Sequence, residues 1–259
     1  MKKALLAVSF GTSYPDTLEK SIAPVEAALA QALPERQVFR AFTSGVIRHR
    51  LEQRDGVYID SLSGALERLD AAGYDDVLVQ PVCILNGGEY DGIAAGTMPW
   101  AGRFCRFALG RPLLASEEDC RAAAGAVVRE LEAPAEDEAL VFMGHGSERF
   151  ASPAYAFTER ALHDLGWERA FLGAMEGRPT LDEVMDRLRA HPRIRRVRLQ
   201  PFMVTAGRHA EKEMAGEGDS WRTRLTGAGY QVECVFRGLG EYPAFRALFA
   251  GHARAAERS

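Results

Sequence analysis

The chain of 259 residues is long enough for one large domain or for two modest ones, because single hydrophobic cores stop growing near about 250 residues. Hydrophobic residues make up 47% of the chain and charged residues 26%, which is typical of a globular protein with sizeable cores and excludes disordered, collagen-like and fibrous proteins. The 36 acidic and 32 basic side chains give a formal net charge of −4, so no overall positive charge attracts nucleic acid, and we expect no nucleic-acid partner.

Apolar runs of strand length alternate with segments of helical period along the first half of the chain. Strands are predicted at residues 4–10, 38–42, 77–82 and 104–109. Between the first two strands, apolar residues recur at steps of three and four, which predicts an amphipathic helix that Pro24 kinks or restarts. Ser116 and Asp119 predict the start of a further helix, and residues 133–138 look like a polar linker.

The same alternation begins again in the second half. Strands are predicted at residues 139–143, 170–174, 197–202 and 232–236. The two halves can be laid on each other, residues 8–13 on 142–147 and residues 77–81 on 197–201. Extending the second overlay puts Gly87 on Gly207 and Glu89 on His209. These matches indicate an internal duplication.

The duplication predicts two similar α/β lobes, each an open, mostly parallel four-stranded sheet flanked by helices. We expect the N-terminal lobe at residues 1–133 and the C-terminal lobe at residues 134–259, with an active-site cleft between them. In open parallel sheets, ligands bind at the carboxyl ends of the strands, because helix N-termini and free backbone N–H groups gather there. Functional residues are therefore expected in the loops that follow the strands.

The strand-end loops of the two predicted lobes carry different side chains. The N-terminal lobe presents Ser9, Thr12, Ser13, Thr43, Ser44 and Glu89. The C-terminal lobe presents His145, Ser147, Glu176 and His209. Two imidazoles and a carboxylate on one rim suit Zn²⁺, Co²⁺, Ni²⁺ or Fe²⁺. The alternative is that His145 only caps a tight turn and that Glu176 and His209 are solvated loop residues.

Motifs for nucleotide binding are missing from the sequence. No G-x-x-x-x-G-K-[ST] motif is present, so we expect no P-loop and no nucleotide cofactor. No G-x-S-x-G elbow supports a hydrolase. The turn at residues 9–13 could cradle a phosphate, as in proteins that bind flavin mononucleotide, and this remains an alternative.

The N-terminus and the cysteines bear on the cellular compartment. The apolar run at residues 4–10 could imitate a signal peptide, but no small-residue cleavage site follows it. No apolar run approaches the roughly 20 residues of a membrane span. The cysteines, at positions 83, 105, 120 and 234, form no C-x-x-C pair, and we expect reduced thiols. The sequence thus predicts a cytoplasmic protein without a membrane partner, and it leaves the oligomeric state open, a homo-oligomer included.

Seven short motifs carry a resemblance to a known family. They are VSFGTS (8–13), NGGEY (86–90), FMGHGS (142–147), GAMEG (173–177), AGRHA (206–210), GDSW (218–221) and GLGE (238–241). In their order and spacing they resemble the anaerobic cobalt chelatases of cobalamin biosynthesis, the CbiK type of class II tetrapyrrole chelatase. The resemblance covers nearly the whole chain.

The resemblance implies a bilobal fold with a central cleft and the ATP-independent insertion of Co²⁺ into sirohydrochlorin. It also implies that the metal is held by His145, Glu176 and His209, with His145 accepting a proton. A tetrapyrrole loses two pyrrole N–H protons when a divalent cation enters, so the site needs bases as well as ligands. Glu89, the repeat counterpart of His209, is expected to face the metal site across the cleft and to assist in this deprotonation.

The substrate of such an enzyme carries many carboxylates, which arginines and backbone N–H groups would orient. We expect Arg208 and the strand-end turns, with Ser9, Gly11, Thr12, Ser13, Ser44, Gly87 and Gly88, to bind it. Two alternatives remain open. One is a ferrochelatase that acts on sirohydrochlorin, since Fe²⁺ suits the same ligands. The other is a non-catalytic carrier of a metal or a tetrapyrrole.

Overall fold

The computed structural model describes residues 1–147 and 153–258. In this part of the chain, eight strands form two parallel four-stranded sheets. The strands are β1 (Lys3–Ser9), β2 (Gln37–Phe42), β3 (Asp76–Pro81), β4 (Arg106–Leu109), β5 (Glu138–Gly146), β6 (Ala170–Glu176), β7 (Arg196–Pro201) and β8 (Gln231–Cys234). All eight strand predictions are confirmed to within three residues at each end.

Helices form most of the connections between the strands. The α-helices are α1 (Pro15–Thr17), α2 (Ala23–Ala32), α3 (Gly45–Asp55), α4 (Leu62–Ala71), α5 (Gly88–Thr97), α6 (Glu117–Glu130), α7 (Ala154–Asp164), α8 (Leu181–Arg189), α9 (Trp221–Gly227) and α10 (Pro243–Arg258). Short 3₁₀-helices lie at Met98–Trp100 and Leu239–Glu241, and π-helices at Leu18–Ile22 and Ala210–Met214. The predicted restart at Pro24 is confirmed, because α2 begins at Ala23 with Pro24 in its first turn.

The two sheets have the same topology. Their strand orders are β2-β1-β3-β4 and β6-β5-β7-β8, so the first strand of each half lies between the second and the third. The strands read as almost continuous apolar runs because helices cover the sheet faces. In the first sheet, Leu6 and Val79 pack against Leu66 of α4, and in the second Val141 packs in a cluster with Val184 of α8. The order of the strands across each sheet reverses between β1 and β3 and between β5 and β7. Open α/β sheets bind ligands at such a switch point.

The compact units differ from the lobes predicted at residues 1–133 and 134–259. The first unit comprises Met1–Leu113 together with Phe245–Ser259, and the second comprises Leu114–Ala244. Helix α6 therefore belongs to the second unit, where it packs on α7. Helix α10 returns to the first unit, where Glu257 accepts a hydrogen bond from the buried Arg36 side chain at 2.8 Å. The predicted boundary followed the polar composition of residues 133–138. The boundaries of the two units instead follow the packing of the helices and strands.

The register of the sheets corrects one of the two overlays. Val8 is paired with Pro81 and Met143 with Pro201, so Val8 corresponds to Met143 rather than to Phe142. The sequence overlay of 8–13 on 142–147 is thus wrong by one residue. The overlay aligned residues of similar type, whereas the register is defined by backbone hydrogen bonds between the strands.

The corrected register changes one correspondence at the site. Gly11 and Gly146 become equivalent, and both have positive φ, of 94° and 82°. The counterpart of His145 in the first unit is therefore Phe10.

The second overlay is confirmed by backbone hydrogen bonds. Asp91 N–H donates to the carbonyl of Gly87 at 2.9 Å, and Glu211 N–H donates to the carbonyl of Gly207 at 3.2 Å. Glu89 and His209 therefore occupy corresponding positions after β3 and β7. None of the helices described here combines the length and apolar character needed to cross a membrane.

Candidate functional site

The position of His145 is fixed by the end of β5. The next residue, Gly146, has a φ of +82° and pairs with Glu176 on β6. A Cβ atom at Gly146 would lie 1.8 Å from the carbonyl oxygen of Glu176, so only glycine lets the two strands approach here. On α7, the hydroxyl of Tyr155 accepts a hydrogen bond from the Gly146 N–H at 3.4 Å. A neighbouring strand and a helix thus hold the backbone beside His145.

The three predicted metal ligands lie together in the second unit. Nδ1 of His145 is 3.8 Å from Oε2 of Glu176, and the rings of His145 and His209 are perpendicular with centroids 5.1 Å apart. The side chains of His145, Glu176 and His209 are 46%, 48% and 42% exposed, which leaves them open to a ligand. Within residues 1–147 and 153–258, no group of three or more His, Cys, Asp or Glu side chains is arranged to hold a metal ion. Their role as ligands therefore stays a prediction.

A second carboxylate, which the sequence analysis missed, lies beside His209. His209 directly precedes the π-helix Ala210–Met214, and Oε2 of Glu213 is 3.3 Å from its Nδ1. Both atoms are shielded from solvent, and although they are in contact, neither makes a hydrogen bond within the described part of the chain. The spacing of four residues could have indicated Glu213, because side chains at i and i+4 are neighbours on a helix.

Glu89 has an unusual environment in the first turn of α5. Its carboxylate accepts a hydrogen bond from the backbone N–H of Phe10, and its Oε1 is shielded from solvent without a hydrogen-bond partner among the described residues. Burial raises the pKa of Glu89 from 4.5 to about 7 and outweighs the hydrogen bond from Phe10, which lowers it. A carboxyl group with this pKa gains and loses a proton near neutral pH, as general acid–base catalysis requires.

The hydroxyl residues proposed to bind substrate lie within the turns of the first unit. Ser9, Thr12 and Ser13 are buried. The Thr12 hydroxyl accepts a hydrogen bond from the backbone N–H of Tyr14 at 3.2 Å. The Ser44 hydroxyl caps α3 by accepting a hydrogen bond from the backbone at 3.3 Å. The Thr12 and Ser44 side chains thus shape their turns, and the backbone N–H of Ser44 donates to the carbonyl of Phe10 at 3.3 Å.

The glycines and the arginine proposed to bind substrate differ in exposure. A Cβ atom at Gly11 would lie 2.5 Å from the ring of Phe42, which explains why this turn needs glycine. Gly87 is buried as the N-cap of α5, whereas Gly88 is exposed as its first residue. Arg208 is exposed beside His209, so its guanidinium is accessible to a ligand. Substrate binding by these residues stays a prediction.

Comparison with known proteins decides the family. The family model described as cobalt chelatase (CbiK) matches residues 3–258. The chain belongs to the CbiK cobalt chelatase family. Sirohydrochlorin cobaltochelatase of Salmonella typhimurium is 44% identical over 253 residues, which cover 97% of this chain and 95% of that protein. Sirohydrochlorin cobaltochelatase CbiKC of Nitratidesulfovibrio vulgaris is 32% identical over 259 residues, which cover 98% of this chain and 90% of that protein.

Two solved structures share the fold of this CbiK family member. SirB from Bacillus subtilis with Fe³⁺ superposes with a TM-score of 0.65 at 16% identity, covering 99% of this chain and 96% of SirB. CbiX, described as the terminal enzyme for biosynthesis of siroheme in denitrifying bacteria, superposes with a TM-score of 0.51 at 17% identity, covering 98% and 99%. The predicted two-lobed α/β fold and the resemblance to CbiK are both confirmed.

Proposed function

We propose that this chain is an enzyme that inserts Co²⁺ into sirohydrochlorin without a nucleotide. Relatives at 44% and 32% identity are named sirohydrochlorin cobaltochelatases. The observation that carries the proposal is the cluster of His145, Glu176 and His209 at the strand ends of one sheet, with His145 3.8 Å from Glu176. This cluster offers imidazole and carboxylate groups, which bind divalent first-row metals well.

Insertion needs proton acceptors as well as metal ligands, because the macrocycle loses two pyrrole N–H protons. In our proposal His145 accepts one proton, since a neutral imidazole is an adequate base near neutral pH. Glu89, with a pKa of about 7, assists in removing the second. The burial that raises its pKa also makes the ionised carboxylate a stronger base than an exposed glutamate.

The two roles proposed for His145 compete for one lone pair, so they follow each other in time. In the resting enzyme His145 coordinates Co²⁺ together with Glu176 and His209. As the pyrrole nitrogens take over the cation, His145 is released and accepts a proton. Acid opposes both roles, because a protonated imidazole neither ligates a metal nor accepts a proton.

The carboxylates of sirohydrochlorin would be oriented by two kinds of group. The strand-end turns, at Ser9, Gly11, Thr12, Ser13, Ser44, Gly87 and Gly88, would provide backbone N–H groups, apart from that of Ser44, which already donates to the carbonyl of Phe10 at 3.3 Å. The exposed guanidinium of Arg208 can pair with a carboxylate in bidentate fashion. Both act on the periphery of the ring and leave its centre to the metal and the bases. The cytoplasmic location stays a prediction.

A metal-insertion assay tests the proposal. Purified, metal-free protein is mixed anaerobically with sirohydrochlorin and Co²⁺, Fe²⁺ or Ni²⁺ in parallel, without ATP, and absorbance follows the metallated product. We expect Co²⁺ insertion well above the protein-free rate. Acceleration with Fe²⁺ alone would favour a ferrochelatase, and binding without acceleration would favour a carrier. An absolute requirement for ATP would contradict the nucleotide-free reaction, and a flavin spectrum in the purified protein would favour a flavin-binding module.

Three alanine variants, at His145, Glu176 and His209, test the metal site. Each should weaken Co²⁺ binding in titration calorimetry, and His145→Ala should also nearly abolish insertion at saturating metal. His49→Ala is the matched control, because His49 is exposed on α3 and has no proposed role. If all three variants bound Co²⁺ as tightly as the parent, the metal site would lie elsewhere.

A further inference from the structure

The carboxylate of Glu213 and the imidazole of His209 form a shielded pair. Nδ1 of His209 and Oε2 of Glu213 are 3.3 Å apart. Both atoms are out of contact with solvent, and neither makes a hydrogen bond to a described group, the other atom of the pair included. The side chains as a whole are partly exposed, 42% for His209 and 44% for Glu213, so the shielding of these two atoms is local.

His209 directly precedes the π-helix Ala210–Met214, and Glu213 lies within it. Ala215 N–H donates to the carbonyl of Ala210 at 3.2 Å, an i to i+5 hydrogen bond that widens the turn after His209. A wider turn holds more than four residues, so the fourth residue after His209 lies almost above it. Glu213 reaches Nδ1 of His209 in this way, while Nε2 remains on the far side of the ring.

Shielding a polar atom from water destabilises the folded protein unless the atom makes a hydrogen bond. Nδ1 of His209 and Oε2 of Glu213, 3.3 Å apart, would satisfy each other through a hydrogen bond in which Nδ1 carries the proton and donates to the carboxylate. In that tautomer the lone pair of the neutral ring is on Nε2. Carboxylates that accept a hydrogen bond from a metal-binding histidine fix its ring and its tautomer in this manner.

We propose that Glu213 is a positioning residue that holds His209 as the Nδ1–H tautomer and directs the Nε2 lone pair to the substrate cation. The part that concerns Co²⁺ rests on the function proposed above, whereas the tautomer does not depend on it. Glu213 acts through His209 and need not touch the metal. A direct ligand role for Glu213 is the competing explanation, and it predicts a different response to substitution.

The tautomer is measured first, in the metal-free protein, by long-range ¹H–¹⁵N correlation of ¹⁵N-labelled histidine at a pH where the imidazoles are neutral. The resonances of His209 are assigned from their loss in His209→Gln. We expect Nδ1–H in the parent and in Glu213→Gln, whose amide oxygen can still accept the hydrogen bond. Glu213→Leu should shift His209 to the Nε2–H form. Glu217→Gln is the control, because Glu217 is exposed nearby, and it should match the parent.

Co²⁺ affinity is measured next on the same variants. Glu213→Leu should weaken binding by about 10- to 100-fold, the usual effect of losing such a partner. Glu213→Gln should retain most of the Co²⁺ affinity of the parent if Glu213 positions His209. Equal losses in the Gln and Leu variants would indicate direct ligation and overturn the proposal.

The tautomer result stands apart from the proposed function. An Nε2–H form of His209 in the parent would overturn the proposal even if Glu213→Leu failed to fold. If the parent showed the Nδ1–H form but bound no Co²⁺, the proposed function would fail, and the role of Glu213 toward the cation would fail with it. The positioning of His209 would then remain as a property of the fold.

Discussion

Replacing Glu89 with Gln should change how the stability of the protein depends on pH. Burial raises the pKa of Glu89 in the folded protein to about 7, against an ordinary value of 4.5. Below about pH 4.5 the carboxyl is protonated in both states and has no effect on stability. Between about pH 4.5 and 7 the unfolded chain releases the proton more readily, so the free energy of unfolding falls as pH rises. The total fall in the free energy of unfolding is about 3 kcal/mol, and it is complete above about pH 7.

Urea unfolding of the parent and of Glu89→Gln at about pH 5 and pH 8 measures this effect. The amide does not ionise, so we expect the variant to lose less stability between the two pH values, by up to about 3 kcal/mol. Comparing the pH dependence removes any constant effect of the amide on packing. Asp91→Asn, on the exposed side of the same helix, should keep the parent's behaviour. An equal pH dependence in the parent and in Glu89→Gln would refute the raised pKa.

Three further predictions concern the framework of the site. Glu257→Ala should lower the free energy of unfolding by about 2 kcal/mol in urea titrations, because the buried Arg36 guanidinium loses one of its carboxylate partners. Gly146→Ala should weaken Co²⁺ binding in calorimetry and lower the melting temperature, since its Cβ would collide with a carbonyl oxygen of β6 at 1.8 Å. A thiol reagent should label the exposed Cys105 quickly and Cys83 only after unfolding, because burial raises the pKa of Cys83 and hides it, and equal labelling rates would contradict this.

The strands could be predicted because most of their residues are apolar and buried on both faces of each sheet. Errors at their ends have a physical cause. The strand predicted at 104–109 begins at Arg106, because Phe104 packs in the core and stacks on Phe107 without joining the sheet. Apolar character reports burial, and burial does not require strand geometry.

The candidate site could be predicted only in part. The rule that ligands bind at strand ends led to His145 and Glu176, and the structure places them 3.8 Å apart. The duplication led to Glu89 through its match with His209. The raised pKa of Glu89 was not predictable, because it depends on how much water the folded chain excludes. The contact of Glu213 with His209 follows their spacing of four residues, but that spacing predicts a contact only once a helix is known to begin at His209.

The return of α10 to the first unit has a consequence for synthesis on the ribosome. The second unit, Leu114–Ala244, is one continuous stretch, so it is complete before Phe245–Ser259 is translated. The first unit begins earlier but must wait for Phe245–Ser259, and Arg36 meets Glu257 across 221 positions of sequence. The first unit, whose synthesis begins first, is thus the unit that is completed last. A premature stop within α10 would disrupt the first unit rather than the second.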